Sequence, residues 1–376
     1  MYSHYPGFLK SIMDEDVLAD SERIDAYQSG EFIFPDTIEL HLGLACQCSC
    51  VFCWRWQGGK RGQNEPGNYR VDRSIPVLTT ADITELITSF RELGGKQIYF
   101  SGGLEFFTSP DALHAIRVSR DQGLKIRIYT NGLSDCFDDP DVRHLILDAA
   151  ENIRFSVHAN TSETYREAQM PNRSFNVASA DFHNVRRRIA AFVEDRKACV
   201  NVTGRPQAAI GVSFLALGCN YGEIEEAIGF YRDLGADSFF IATDMREAAD
   251  WFDECQRNNF SEKLKIIRCR NEQGDFAPMK VRGDRHEPRI LTRFPSRCFV
   301  PYKHPAIDPW GNVYTCCYRV NPSQQFQDYR FGKFPEQGLL DILQKAHDQG
   351  RIPRPQCAQC PDWELGYNQC IEEILK

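Results

Sequence analysis

Short apolar runs rich in β-branched or aromatic residues recur along the middle of the chain, over 37–43, 96–101, 124–130, 152–158, 207–217 and 238–242, and each reads as a strand. Between them the apolar positions fall at helical spacing, which predicts amphipathic helices over 80–93, 111–122, 139–150, 182–195 and 221–234. Alternation of strand and helix predicts a parallel sheet with helical crossovers. In such a sheet the loops that follow the strands converge on one face, so chemistry is expected there.

The strand endings are the distinctive parts of this sequence. After the first strand come Cys46, Cys50 and Cys53, with three and then two residues intervening, followed by Trp54. A short loop that supplies three thiolates can hold three irons of a cubane and leave the fourth open to a ligand. Zinc also accepts thiolates, so the spacing alone leaves both metals open. Cys48 is an extra thiol inside the loop and reads as a non-ligand, because using it would break the spacing. The second strand runs into Ser101-Gly102-Gly103-Leu104-Glu105, the third into Thr130-Asn131-Gly132, and the fourth carries Ser156 and His158. Glycines after a strand let the backbone approach a ligand without a Cβ in the way.

A chain of 376 residues has room for one large domain and a smaller one. Its net charge of −8 argues against a nucleic-acid binder, whose affinity rests on Lys and Arg neutralising phosphates. The Arg186-Arg187-Arg188 run reads as a solvated helix face. No apolar run is long enough to cross a bilayer, and the N-terminus lacks the order of a signal peptide, so a soluble cytoplasmic protein with no membrane or nucleic-acid partner is expected. In a reducing compartment fifteen cysteines point to metal or cluster ligation rather than disulfides. The isolated thiols Cys136, Cys199, Cys219, Cys255 and Cys269 read as inert.

A second cysteine constellation lies toward the C-terminus. Seventeen residues separate Cys298 from Cys316, and Cys357 and Cys360 form a pair with two intervening residues. Pro309-Trp310-Gly311-Asn312 is a turn signal between strand-like Ala306-Ile307 and Val313-Tyr314-Thr315, which predicts a hairpin that brings Cys298 and Cys316 together. Four thiolates can saturate a cubane or a zinc ion. Cys317 and Cys370 remain over.

The segment Cys46-Gln47-Cys48-Ser49-Cys50-Val51-Phe52-Cys53 resembles the signature of the radical S-adenosylmethionine enzymes. The resemblance extends from Thr37 to Ala242 and implies a partial (β/α)6 TIM-like barrel, an α/β fold, over 37–244. It implies a 4Fe-4S cluster on Cys46, Cys50 and Cys53 whose open iron chelates S-adenosylmethionine. Phe52 would lie beside the adenine, Gly102, Gly103 and Glu105 would meet the methionine amino group, and Asn131 and Ser156 would contact the cofactor. Leu104 and Phe106 depart from the family pattern around Glu105. His158 stands where many relatives carry an acid, which marks either the substrate pocket or a structural histidine.

From Cys298 onward the chain resembles the auxiliary-cluster extension called twitch, a shortened SPASM domain, and residues 329–343 resemble its glycine-led turn and helix. This implies a small C-terminal α+β domain over 294–376, with one auxiliary 4Fe-4S cluster on Cys298, Cys316, Cys357 and Cys360. A full SPASM pattern places two further cysteines after Cys360; Gly366 occupies the first place and Cys370 the second. Cys317 and Cys370 are each an alternative ligand, an inert thiol or a hydrogen-atom donor to a substrate radical. Residues 245–293 read as a charged, partly helical connector, with Trp251 and Phe252 near its start, and 1–36 as an N-terminal extension too short for a peptide leader-binding domain.

The activity implied is reductive cleavage of S-adenosylmethionine, fed by an external reductant such as flavodoxin or ferredoxin, followed by hydrogen abstraction from a substrate. The expected outcome is two-electron oxidation of a small polar alcohol or sugar-like molecule in natural-product biosynthesis. A peptide-modifying enzyme that forms a thioether or carbon-carbon crosslink, and an epimerase with a cysteine donor, would share the same cysteines. A noncatalytic zinc protein would share the C-terminal thiolates alone.

Overall fold

A computed structural model describes residues 21–53, 74–203, 207–243, 252–283, 298–300, 305–317, 320, 330–350, 368, 371–372 and 375. The chain enters through helix α1 (Ser21–Ser29) and strand β1 (Thr37–Leu40), then alternates: α2 (Thr80–Glu92), β2 (Gln97–Phe100), α3 (Ala112–Asp121), β3 (Lys125–Thr130), α4 (Pro140–Ala149) and β4 (Asn152–Ser156). Two consecutive helices follow, α5 (Ser162–Gln169) and α6 (Phe175–Thr203), before β5 (Ala209–Ala216), α7 (Ile224–Leu234), β6 (Ser238–Thr243), α8 (Glu254–Glu272) and β7 (Lys280–Arg282). The C-terminal part adds β8 (Ala306–Ile307), β9 (Asn312–Tyr314), β10 (Arg330–Lys333) and α9 (Leu339–Gly350).

Local chemistry sets the element ends. Thr79 and Asp82 form a reciprocal capping box at the start of α2. Asp139 caps α4 ahead of Pro140, and Gly235, at φ +103°, ends α7.

All the strands join one sheet in the order β10-β9-β8-β1-β2-β3-β4-β5-β6-β7. The run from β8 to β7 is parallel, and β9 and β10 are antiparallel additions. The six strands expected from sequence are all present, as is the hairpin at Ala306. Its placement was not legible: β8 pairs alongside β1, with Glu39 opposite Ala306 and Leu40 opposite Ile307. Within the connector, β7 extends the sheet beyond β6 and α8 supplies the expected helix.

One face of the sheet buries the core. Ile38, Leu40, Ile98, Phe100, Ile126, Ile128, Ile153 and Phe155 are fully buried and pack with helix residues such as Leu86, Phe90, Ile116, Ile146 and Phe192. Strand alternation sends the intervening residues to the other face, which is polar and aromatic: Glu39, Tyr99, Arg127, Tyr129 and Arg154. The arginine run on α6 is not a uniformly solvated face. Arg187 is exposed, but Arg188 is 3% exposed and pairs with Asp135 and Asp138, and the Arg186 guanidinium lies over the Phe182 and Phe230 rings. The buried cation is thus paired with two exposed carboxylates, and its hydrogen bond holds the Asp138 pKa down to about 2. Among the described residues no helix is long and apolar enough to cross a membrane.

Candidate active site

The loop that leaves β1 is anchored from two sides. Thr108 binds it from the β2 side: its hydroxyl accepts from Leu44 N and Ala45 N, both at 3.0 Å, and lies 2.6 Å from the Glu105 carbonyl oxygen. Glu105 N in turn donates to the Ala45 carbonyl oxygen at 2.9 Å. From the other side, the end of α5 receives Ser49 N at the Gln169 carbonyl and Val51 N at the Ala168 carbonyl. Gly43 allows this closeness, because a Cβ there would fall 2.4 Å from the Glu105 carbonyl oxygen. Gly102 is equally constrained, since its Cβ would meet the Leu104 carbonyl oxygen at 1.7 Å.

The thiols of this loop share one electrostatic neighbourhood. Hydrogen bonding to Cys48, and then burial, push the Cys46 thiol far above its ordinary value. At Cys50 the hydrogen bond to Cys48 works downward, but burial and the charges of Cys53 and Cys46 outweigh it, so the net shift is upward. Thiols that oppose each other's ionisation are the donor set that a cationic metal centre relieves, by binding them as thiolates. Among the described residues no three His, Cys, Asp or Glu side chains close to the spacing of ligands round a single ion. A cubane places its thiolates on different irons, so its ligands stand further apart than those of one zinc. Buried Cys48 lies between Cys46 and Cys50 and contacts both.

The neighbouring strand ends close around this loop. Asn131 reaches across from β3, with Nδ2 3.6 Å from Cys46 Sγ and 3.1 Å from Gln47 Oε1. Glu105 is buried, and its carboxylate accepts from Thr130 Oγ1 at 2.6 Å and Asn131 N at 2.7 Å. Burial pushes the Glu105 pKa up, and these donors work against that rise. Both its oxygens therefore brace the β3 loop; Oε1 also accepts from Phe107 N at 3.5 Å, and Oε2 retains a lone pair for a further donor.

On the opposite side, Phe52 joins the apolar patch of Ala168, Leu215, Leu217 and Ala242, and meets the His158 ring edge-on at 4.8 Å. His158 is buried; its Nδ1 accepts from Leu215 N at 2.8 Å, which places the proton on Nε2. Burial, and then the charge of Arg154, push its pKa down to about 3, so the ring is neutral. Ser156 ends β4 opposite Ser213, and its carbonyl accepts from Gln169 Nε2.

Several site residues were not legible in the sequence. Gln169 accepts from His158 N through Oε1, and fully buried Asn220 ties the His158 and Leu215 carbonyls together. Glu39, His41 and Ser101 form a buried polar group at the ends of β1 and β2, with His41 Nε2 2.9 Å and Ser101 Oγ 3.1 Å from Glu39 Oε2. The signal for the last group was available: Glu39 and His41 alternate with apolar Ile38 and Leu40 and so share the non-core face.

In the C-terminal part, Cys317 packs against the cluster of Ala306, Trp310, Tyr314 and Val320, as does Leu104 of the glycine segment. Cys298 sits beside Phe299, whose backbone N donates to Asn368 Oδ1 at 2.6 Å, while Asn368 Nδ2 approaches Cys298 Sγ at 3.9 Å. Cys298 and Cys316 are both partly buried. Gly103 forms part of the turn after β2. Cys357, Cys360 and Cys370 lie outside the described residues, as do Trp54 and Trp251.

This is a parallel α/β protein with a thiol-bearing loop at the C-terminal end of its first strand and a cysteine-rich C-terminal extension. Residues 298–361 match the SPASM family, an iron-sulfur cluster-binding domain, and that stretch includes Cys298, Cys316, Cys357 and Cys360. Among solved structures, SuiB from Streptococcus suis bound to S-adenosylmethionine is similar at 14% identity, with TM-score 0.59, covering 93% of this chain and 76% of that one. The same protein bound to its precursor peptide SuiA gives TM-score 0.61 at 14% identity, covering 93% and 75%. AdoMet-bound anSMEcpe gives 0.59 at 10% identity, covering 88% and 87%. The dTDP-4-amino-4,6-dideoxy-D-glucose ammonia-lyase of Streptomyces venezuelae is 29% identical over 110 residues, which span 29% of this chain and 21% of that relative's length. The chain thus carries a match to an iron-sulfur cluster-binding domain in its C-terminal part and shares its fold with two proteins solved with S-adenosylmethionine bound.

Proposed function

We propose that this enzyme oxidises a small polar, sugar-like alcohol by two electrons, in a core spanning 37–244 with an auxiliary cluster region over 294–376. The observation that carries the reading is the three-thiol loop braced against Glu105, Asn131 and, through its own Phe52, His158 at the C-terminal ends of the strands. Cys46, Cys50 and Cys53 are the ligands of the first cluster, and Cys298, Cys316, Cys357 and Cys360 those of the second. Bound there, S-adenosylmethionine and the first cluster would supply hydrogen-atom abstraction, driven by one electron from an external reductant, and the auxiliary cluster would supply an electron acceptor.

The chain's own residues hold and orient. Phe52 with Leu215, Leu217 and Ala242 offers an apolar wall for the adenine. Gly102 and Gly103 let the backbone come close to the methionine end, where Glu105 has a lone pair for an ammonium donor. Asn131 orients Cys46 by donating toward its sulfur, and Ser156 stands at the end of β4 beside Ser213. Together these groups keep water from the reacting atoms. The match to the nucleotide-sugar ammonia-lyase supports a sugar-like substrate. A precursor peptide, as held by the similarly folded SuiB, is the second reading.

Iron and acid-labile sulfide after anaerobic reconstitution test the assignment. The parent is expected to hold about eight irons, and a Cys46→Ala/Cys50→Ala/Cys53→Ala variant about four. With dithionite and S-adenosylmethionine, 5′-deoxyadenosine should come from the parent alone. Zinc without iron, or nucleoside formed by the variant, would sink the reading. Among polyol and sugar substrates, a product that has lost two hydrogens supports oxidation, and one that has lost ammonia assigns a lyase instead.

A further inference from the structure

The non-core face of the sheet carries a cation that the site above does not use. Arg154 lies on β4 two residues before Ser156, and strand alternation sends its neighbours Ile153 and Phe155 into the core, both fully buried, while Arg154 faces the other way. Its guanidinium carbon sits 4.2 Å from the centre of the Tyr129 ring and 5.1 Å from that of Phe240. Register explains the reach: Tyr129 is its direct neighbour on β3, and the neighbour on β5 is Gly211, which leaves open the space across which the side chain meets a ring on β6.

Arg154 Nε is buried with no hydrogen-bond partner, and no carboxylate pairs with this arginine among the described residues. Arg127, on the same face, contrasts with it: Nη1 donates to the Tyr99 hydroxyl at 3.1 Å, and Nε lies 3.7 Å from the Glu151 carboxylate. Phe240, under the Arg154 cation, packs against the same patch of Ala168, Leu215, Leu217 and Ala242 as Phe52, so the cation borders the apolar wall assigned above to the adenine. The buried Nε needs an acceptor, and the two aromatic faces meet part of the cation's need while fixing the plane of the fork. The donors left over match an oxyanion held by two parallel hydrogen bonds.

We propose that Arg154 is a substrate-binding residue that takes a carboxylate or phosphate group of the substrate, with Tyr129 and Phe240 clamping its guanidinium. This narrows the substrate class of the reaction proposed above to anionic molecules and rests on that reading for the chemistry that follows binding. The same oxyanion chemistry could come from the carboxylate of S-adenosylmethionine, and the test separates the two.

Inorganic phosphate and S-adenosylmethionine are titrated separately, by calorimetry in chloride buffer, into the full-length reconstituted chain and its Arg154→Gln and Arg154→Lys variants. Phosphate should bind the parent and bind Arg154→Gln about tenfold or more weakly, with Arg154→Lys in between, while S-adenosylmethionine affinity stays the same in all three. No phosphate binding by the parent, or equal binding by Arg154→Gln, overturns the proposal. A fall in S-adenosylmethionine affinity also overturns it and gives Arg154 to the cofactor. If Arg154→Gln loses its fold by circular dichroism, Phe240→Leu, which opens the clamp and keeps the cation, decides: weaker phosphate binding is expected, and unchanged binding overturns the proposal. Phosphate binding retained by a parent that makes no 5′-deoxyadenosine would remove the radical reading and leave the anion site standing.

Discussion

His158 faces the cofactor wall, yet its hydrogen bonds are those of an anchor. Accepting Leu215 N fixes its tautomer, and burial keeps it neutral with a pKa of about 3. The unfolded chain returns this ring to about 6.5, so between those values the unfolded state binds more protons than the folded one. The stability that His158 contributes is therefore complete above about pH 6.5 and is lost as the pH falls through that window, by up to about 1.4 kcal/mol per pH unit. Urea unfolding of the parent from about pH 7 to about pH 4.5 should show this slope, and His158→Gln, which keeps an acceptor for Leu215 N, should flatten it. An unchanged slope would mean that the ring is protonated in the folded chain. The sequence marked position 158 because it ends a strand. It could not supply this hydrogen-bond partner, because Leu215 is far away in sequence.

At the scale of elements, two short contacts hold the thiol loop: Thr108 on one side and the end of α5 on the other. Thr108→Val keeps the shape and removes the hydroxyl, leaving the partly buried Leu44 N and the exposed Ala45 N without that partner, at a cost of about 0.5–1.5 kcal/mol. The expected result is a lower unfolding midpoint and faster loss of iron from the reconstituted protein to a chelator; iron retained as in the parent would show that the loop does not depend on this anchor. The six core strands were legible because each is a buried apolar run between turn signals. Helix α5 was not, because its eight residues are largely polar and its start depends on Thr161 accepting from Thr164 N. Strand β7 was hidden for a related reason, with three residues of which only Val281 is buried. The cysteine loop and the glycine turn were readable as motifs, whereas Gln169, Asn220 and Asn368 act through single hydrogen bonds that leave no periodic trace.

Over the whole molecule, the continuity of the sheet sets how the parts depend on one another. Helix α1 meets the C-terminal region where Tyr27 contacts Phe299 at 5.2 Å, and α9 contributes Leu339, Ile342 and Leu343 to the main core. Ile307 and Val313 of the hairpin and helix α9 are thus packed on the same core as the thiol loop, while Ala306, Trp310, Tyr314 and Val320 beside Cys317 form a smaller cluster of their own. Calorimetric unfolding should give one cooperative transition rather than two. A separate low-temperature transition, abolished by substitutions in the hairpin alone, would show instead that the extension folds by itself.

The pairing of β8 with β1 also decides what happens when the extension is cut away. Glu39 N donates to the Pro305 carbonyl and His41 N to that of Ile307, so β1 is an inner strand only because the C-terminal hairpin lies against it. Deleting that hairpin turns β1 into a bare edge, with unpaired amides ready to recruit a strand from another molecule. A truncated barrel would report self-association before it reported anything about the second cluster, so point substitution of its ligands is the cleaner dissection.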